Sequence, residues 1–277
     1  MADNRAIGVF DSGLGGLTVA REIMKLLPNE NIVYFGDTGR VPYGTKGRDT
    51  IRKYALQDER FLLSHDVKMI VAACGTVSSV AADTAESLPV PFVEVVSHSV
   101  RAAVRATKNG KIGILATSAT INSGAHKKQI LESLPSAQVI ESAGTLLVPI
   151  VEEGWTTLDD TVAIETLRRY LKPMIDAGVD TLILGCTHFP VLSSIIRNIL
   201  GGSVTLINMG EATAKAIEKL LENSNSLNDG TIAPKYDFYA SDKTKSFEKT
   251  VKVLLGDYNK FFEIDQVDIE KVCKRFL

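Results

Sequence analysis

The sequence predicts an α/β protein built from two doubly wound parallel-sheet lobes that share a cleft between them. Three observations lead to this fold class. Short apolar runs of strand length alternate with helix-like stretches along most of the chain. The alternation restarts at residue 111, so the second half repeats the first. Each half also contains a cysteine, Cys74 or Cys186, between an apolar strand and a helix-like stretch.

The first half opens on an apolar strand that breaks at a glycine-rich turn. Apolar residues at helical spacing then predict a helix that ends at Pro28. A charged amphipathic stretch predicts a longer helix before the first cysteine strand. The predicted strands are 7–10, 32–35, 69–73 and 92–96, and the predicted helices are 17–27, 49–64 and 77–87.

The second half follows the same alternation, with Gly178 as a C-terminal helix stop. A polar stretch at 223–234 predicts a loop, and the segment after Gly256 is ambiguous. The predicted strands are 111–115, 138–141, 181–184, 204–207 and 236–240, and the predicted helices are 123–134, 146–153, 159–177, 191–200, 211–223 and 247–255.

Composition excludes several classes of protein. A net charge of −2 provides no basic field for nucleic acid or an anionic membrane. No apolar stretch approaches the roughly 20 residues of a membrane span, and the N-terminal residues lack a signal-peptide core. The three cysteines form no C-x-x-C pair, which argues against a zinc ribbon or a thioredoxin-type motif. These features predict a reduced cytoplasmic protein.

Cys74 and Cys186 are the candidate reactive groups. A side chain that follows a parallel strand lies at the carboxyl edge of the sheet, where open α/β sheets bind ligands. A helix N-terminus lowers the pKa of a thiol from its free value of about 8.5. Cys273 has no such setting, and we assign it no role.

Other polar residues stand at element ends. Asp11 and Asp37 each follow a strand, where helix capping or a turn is an equally good explanation. His188 lies two positions after Cys186, which favours a functional role over that of a packed histidine. Glu152, taken alone, would be an ordinary solvated helix residue.

The glycine-rich loop at residues 13–16 invites a nucleotide-binding interpretation. It fails the G-x-G-x-x-G test because Thr18 stands where the last glycine belongs, and the chain contains no P-loop motif. A short glycine-rich turn at a helix start can still bind a carboxylate through its N–H groups. A small anionic ligand therefore fits better than a dinucleotide.

Two thiols that face each other across a cleft can invert a stereocentre. One removes a proton from carbon while the other donates a proton to the opposite face, and no cofactor is needed. An amino-acid α-proton is weakly acidic, so the thiols must be tuned and the carboxylate held by fixed donors.

Four motifs carry a resemblance to a known family. They are IGVFDSGLGGLTV at 7–19, YFGDT at 34–38, PYG at 42–44 and GCTHFP at 185–190. In this order they closely resemble glutamate racemase, which makes D-glutamate for bacterial peptidoglycan without a cofactor. The resemblance implies the aspartate/glutamate racemase fold, with pseudo-symmetric lobes at 1–97 plus 208–277 and at 98–207. It also implies glutamate as the substrate and a homodimer.

The resemblance also implies roles for single residues. Cys74 is the expected base for the D-isomer and Cys186 the expected base for the L-isomer. Asp11 and His188 are the expected partners of these thiols, and Asp37 and Glu152 are secondary catalytic residues. The expected substrate-binding residues are Asp11, Ser12, Pro42, Tyr43, Gly44, Gly75, Thr76, Thr120, Thr187 and His188.

The chain departs from the family pattern at three positions. Gly75 stands where the family has asparagine, Asn208 where it usually has aspartate, and His126 where a tyrosine is common. The missing amide at Gly75 leaves open a racemase of the same fold that acts on aspartate or a related carboxylate. A non-enzymatic, two-lobed protein that closes on a small anion is the other alternative, but it gives no reason for the paired thiols.

Overall fold

Two sheets of parallel strands organise the chain in the computed structural model, which describes residues 2–260 and 263–274. In chain order the strands are β1 (Ile7–Asp11), β2 (Ile32–Gly36), β3 (Met69–Ala72), β4 (Phe92–Glu94), β5 (Lys111–Ala116), β6 (Gln138–Ala143), β7 (Thr181–Gly185), β8 (Thr205–Asn208), β9 (Tyr236–Ala240) and β10 (Ile264–Gln266).

The helices connect the strands and pack on them. They are α1 (Leu17–Leu26), α2 (Arg48–Leu63), α3 (Gly75–Val80), α4 (Val95–Ala106), α5 (Ser118–Ser123), α6 (Ala125–Ser133), α7 (Leu147–Glu152), α8 (Thr161–Ala177), α9 (Ser193–Leu200), α10 (Met209–Asn223), α11 (Phe247–Leu255) and α12 (Ile269–Lys274). Short 3₁₀ helices cover Thr38–Arg40, Tyr43–Thr45, Ala82–Ser87, Phe189–Leu192 and Gly256–Lys260.

Every strand pair in both sheets is parallel, so the predicted α/β class with two parallel-sheet lobes is confirmed. The first sheet has the order β10-β9-β2-β1-β3-β4, and the second has the order β6-β5-β7-β8. The strands β1, β2, β3 and β7 are buried along their whole length, which explains why each reads as a continuous apolar run. The lobe boundaries at 97/98 and 207/208 stay a prediction.

Register brings the functional side chains to the sheet edges. In the first sheet Asp11 pairs with Gly36, and Phe10 pairs with Ala72. In the second sheet Ala116 pairs with Gly185. The residues that follow these strands therefore emerge at one edge of each sheet, and they include both cysteines. The C-terminal strand β9 pairs with β2, so the end of the chain completes the first sheet.

The prediction for residues 92–96 was partly wrong. The strand ends at Glu94, and the missed helix α4 begins at Val95. Glu94 caps this helix, since its side chain accepts the N–H groups of Val96 and Ser97 at 2.5 and 2.8 Å. The β-branched pair at the start of α4 favoured a longer strand in the sequence, but the cap overrides that preference.

The predicted helix at 123–134 is α6, and the short helix α5 that precedes it was missed. Gly124 separates α5 from α6 with a left-handed φ of 65°, a conformation that glycine adopts without steric cost. The ambiguous segment after Gly256 forms a 3₁₀ turn, β10 and α12. The side chain of Cys273, to which no role was assigned, lies outside the described part of the structure. No helix within residues 2–260 or 263–274 is both long and apolar enough to cross a membrane.

His126 gives the fold a predictable sensitivity to acid. It is 2% exposed, and neither ring nitrogen has a hydrogen-bond partner. Burial lowers the pKa of His126 to about 4, whereas a histidine in an unfolded chain titrates near about 6.5. Between these pH values only the unfolded chain binds the proton, so stability falls as pH drops through this window.

We expect His126→Leu to remove this part of the pH dependence. The difference in pKa corresponds to roughly 3 kcal/mol of unfolding free energy near pH 4. Urea unfolding of both proteins at about pH 7.5 and about pH 4.5 measures it. An equal loss of stability on acidification in both proteins would show that His126 is not buried in its neutral form.

Candidate active site

A cavity of about 600 Å³ lies where the carboxyl edges of the two sheets meet. It takes side chains from both sheets, including both cysteines. Of the residues that the sequence singled out, the cavity is lined by Asp11, Ser12, Pro42, Tyr43, Gly44, Cys74, Gly75, Thr76, Thr120, Glu152, Cys186, Thr187 and His188. A cavity of this size accommodates a small molecule.

Cys74 follows β3 and is the N-cap residue of α3. It is 5% exposed, and its sulfur donates to Ser12 Oγ at 3.3 Å. Burial, with the nearby carboxylate of Asp11, raises the pKa of Cys74 to about 12. The expected lowering by a helix N-terminus was therefore wrong for this thiol, because burial outweighs a helix of one and a half turns. Cys74 rests as a neutral thiol.

Asp11 accepts hydrogen bonds from the glycine-rich turn that follows it. Its Oδ2 accepts the N–H groups of Gly13 and Gly16 at 3.1 and 3.0 Å. Burial raises the pKa of Asp11, and these two N–H groups oppose the shift. The sequence predicted that N–H groups of this turn could bind a ligand carboxylate. Those of Gly13 and Gly16 bind the carboxylate of Asp11 instead.

Cys186 follows β7 and has an imidazole beside it. The sulfur lies 3.9 Å from His188 Nδ1, and His188 Nε2 lies 3.3 Å from Glu152 Oε1. The second pair is at ion-pair distance but lacks hydrogen-bond geometry. Burial disfavours a charged imidazole, but the favourable interactions with Cys186 and Glu152 outweigh it and raise the pKa of His188 to about 10. The ring therefore carries a proton at neutral pH next to the sulfur.

Direct contacts hold the two strand-end turns together. Thr18 Oγ1 of the first sheet's α1 donates to Thr187 O at 2.7 Å. A Cβ added at Gly15 would lie 2.5 Å from His188 Nδ1, and one added at Gly75 would lie 2.9 Å from Gly185 O. Only glycine allows such close approach without a shift. A side chain at position 75 would therefore collide with the carbonyl oxygen of Gly185, the residue before Cys186.

Hydroxyl groups line one side of the cavity. Thr76 Oγ1 lies 3.5 Å from Thr117 Oγ1, which donates to Thr120 Oγ1 at 3.0 Å. Thr117 was missed by the sequence, although it directly follows β5 and so satisfies the same strand-end rule as Cys186. These hydroxyls can donate to, or accept from, a polar ligand.

Other lining residues had no local signal. The segment from Thr244 to Thr250, which leads into and forms the start of α11, lies far along the chain from both cysteines and still reaches the cavity. Three residues at the start of α7 and just before it, Thr145, Val148 and Pro149, do the same. Only the packing of distant segments places them there.

Asp37 is the one predicted site residue that does not line the cavity. It is fully buried behind Tyr43, and the phenol donates a hydrogen bond to Asp37 Oδ2. Its catalytic role stays a prediction, and its contact is with the loop that carries Pro42, Tyr43 and Gly44. No group of three or more His, Cys, Asp or Glu residues in the described ranges could hold a metal ion.

Comparisons with known proteins agree with this arrangement. The family model for Asp/Glu/Hydantoin racemase matches residues 7–217. The chain is 44% identical to glutamate racemase of Syntrophus aciditrophicus over 90% of this chain and 92% of that protein. It is 45% identical to a Neisseria meningitidis glutamate racemase over 91% and 93%. The crystal structure of Francisella tularensis glutamate racemase with D-glutamate superposes with a TM-score of 0.88, at 36% identity, over 97% of this chain and 99% of that one.

Proposed function

Because this chain belongs to the Asp/Glu/Hydantoin racemase family and, within it, to the glutamate racemases, we propose that Cys74 and Cys186 carry the proton transfers of its reaction. The reaction is the interconversion of L-glutamate and D-glutamate. One observation carries the proposal: two cysteines from two different sheets line one cavity, and each has an ionisable partner of its own.

The resting states of Cys74 and His188 suit the L-isomer. Cys186 must begin as a thiolate to remove the α-proton, and His188 is the group that holds the displaced proton. Cys74 begins as a thiol and donates its proton to the opposite face of the α-carbon. One C–H bond breaks and one forms, so no proton is gained or lost. The cycle leaves Cys186 as the thiol and Cys74 as the thiolate.

The D-isomer uses the opposite state. Cys74 is then the base and Cys186 is the acid. Asp11 is placed to take and return the proton of Cys74, since burial keeps its carboxyl easy to protonate. His188 returns a proton to the Cys186 side. Each thiol thus alternates between acid and base, and it exchanges protons with its own partner, Asp11 for Cys74 and His188 for Cys186.

The remaining polar groups serve the substrate. We infer that its carboxylates are held by hydroxyls and backbone N–H groups of the turns that line the cavity, with Ser12, Thr76, Thr120 and Thr187 as the hydroxyl donors. Fixed donors around the reacting carboxylate stabilise the negative charge that develops when the α-proton leaves. Pro42, Tyr43, Gly44 and Gly75 shape the wall beside it.

The cellular assignment follows from the family. We propose that the D-glutamate made by this enzyme enters peptidoglycan and that the enzyme works in the cytoplasm. The expected homodimer stays a prediction. Gel filtration combined with light scattering would measure the mass directly, and a monomer at micromolar concentration would remove that part of the proposal.

Deuterium exchange tests the reaction itself. We expect the protein, incubated with L-glutamate in deuterium oxide without added pyridoxal phosphate, to yield D-glutamate labelled at Cα. The same incubation with L-aspartate tests the alternative that Gly75 raised. Faster exchange on aspartate would reassign the substrate. Well-folded protein that exchanges neither amino acid would refute a racemase altogether.

A further inference from the structure

A buried polar cluster lies behind the loop that carries Pro42, Tyr43 and Gly44. It consists of Asp37, Arg40, Tyr43, Asp58 and Ser241. Asp37 and Asp58 are fully buried, and Tyr43 is 1% exposed. Asp58 comes from the buried face of α2 and has no part in the reaction as described above. Because two carboxyl groups are buried together away from water, the position of each hydrogen in the cluster decides which group is charged.

Arg40 connects the two carboxyl groups. Its Nε donates to Asp37 Oδ2 at 2.5 Å, and its Nη2 donates to Asp58 Oδ1 at 3.0 Å. Its guanidinium also lies 4.1 Å from the centre of the Tyr54 ring. One positive charge therefore faces two acids, and it balances only one negative charge.

The hydrogen bonds of Tyr43 and Asp37 together indicate which acid is charged. Tyr43 has one hydroxyl hydrogen and donates it to Asp37 Oδ2, while Asp58 Oδ2 lies 3.1 Å from the same phenolic oxygen. Asp37 already accepts from Arg40 on Oδ2 and from Ser241 on Oδ1 at 2.9 Å. Both contacts of Tyr43 contain a hydrogen only when one of the two acids is protonated. Because Asp37 accepts from Ser241 as well as from Arg40, the extra proton is assigned to Asp58 Oδ2, which then donates to Tyr43.

We propose that Asp58 is a positioning residue. Its neutral carboxyl donates a hydrogen bond to Tyr43 and thereby holds in place the loop that carries Pro42, Tyr43 and Gly44. Asp37 is the charged partner of Arg40 in this arrangement. The loop residues Pro42, Tyr43 and Gly44 form a wall of the cavity, so its geometry depends on a proton stored behind it. The inference rests on the proposed function only where it concerns substrate binding.

Burial and charge agree with this assignment. Burial and the neighbouring Asp37 hold the pKa of Asp58 well above its usual range, and Glu59 adds to the shift. Arg40 opposes the shift but does not cancel it. A protonated carboxyl is the form that a buried acid adopts when its neighbour already holds the available cation.

The test compares substitutions that differ in what they keep. Asn at position 58 can accept from Arg40 through Oδ1 and donate to Tyr43 through Nδ2, so Asp58→Asn preserves both contacts. Asp58→Leu keeps the branched shape, with methyl groups in place of the oxygens, and leaves Tyr43 and Arg40 without these partners. Asp37→Asn is the matched control, because it makes the same chemical change at the acid assigned as charged.

We expect Asp58→Asn to keep KM and kcat within about threefold of the wild type, whereas Asp58→Leu and Asp37→Asn raise KM for glutamate about tenfold or more. The rise in KM should exceed any fall in kcat, because the loop wall binds substrate and does not transfer the proton. All variants are assayed below their unfolding temperatures, which circular dichroism measures. A purely structural Asp58 would lower the unfolding temperature without this ordering of KM values.

Infrared spectroscopy reads the proton directly. The difference spectrum between wild type and Asp58→Asn should show the carbonyl band of a protonated carboxyl, and this band should persist in Asp58-containing controls such as Cys273→Ala. The proposal is overturned if that band is absent, if Asp58→Asn is as impaired as Asp58→Leu, or if Asp37→Asn is tolerated. The spectrum does not depend on activity, so it separates this proposal from a failure of the proposed function.

Discussion

Replacing either Cys74 or Cys186 by alanine is expected to lower the rate of glutamate racemisation by about 10²- to 10⁴-fold or more. Each cysteine supplies the only thiol on its side of the cavity among the described residues, and each is needed once in every turnover. Loss of one thiol therefore stops both directions, because the proton removed on one face must be replaced on the other. The change is measured as kcat/KM for both isomers.

The paired design makes this result diagnostic. Both cysteines are buried next to small or polar neighbours, so an alanine leaves only a small cavity, and the fold should be retained. Circular dichroism checks this. Cys273→Ala is the matched control, since it makes the same substitution at a thiol without an assigned role, and it should keep activity near that of the wild type. Full activity in Cys74→Ala or in Cys186→Ala would refute the two-thiol mechanism.

Gly15→Ala is expected to lower activity about 100-fold while the protein stays folded. A methyl group at this position would lie 2.5 Å from His188 Nδ1 and would also meet the Thr187 side chain. Side chains can move where a backbone cannot, so the imidazole should give way. Moving it changes its distance to Cys186 Sγ, now 3.9 Å, and a misplacement near 1 Å costs about two orders of magnitude.

Gly202→Ala is the control for this prediction. A Cβ at Gly202 meets no atom within 4 Å, and its backbone has no left-handed φ. The same added methyl should therefore leave both activity and stability unchanged. Gly15→Ala with wild-type kcat/KM would show that His188 is not held by this contact, and would remove the close approach of the two turns from the mechanism.

Local patterns predicted both cysteines' settings because the rule that places them is local. A continuous apolar run predicts a buried parallel strand, and the residue that follows it must lie at the carboxyl edge of the sheet. The same rule applies to Asp11 at the end of β1 and to Thr117 after β5. Thr117 was missed although Thr120, three positions further on, was predicted to bind the substrate.

Other features depend on the balance between two opposing effects, which cannot be read from the sequence alone. The helix α4 begins one residue after a strand because the Glu94 side chain caps it. The pKa of Cys74 rises because burial outweighs the short helix that follows it. Each is a balance between two opposing effects, and the magnitude of each depends on surroundings from other parts of the chain.

The sequence by itself determined that the chain is a two-sheet α/β protein, that its strands end in acid, thiol and imidazole groups, and which family it resembles. These follow from spacing and from motifs within a few residues. Only the tertiary structure decided that Asp37 stands behind Tyr43, that Asp58 joins it there, and that α11 forms part of the cavity wall. These contacts join segments far apart in the chain, and their energies depend on burial that exists only once the chain is packed.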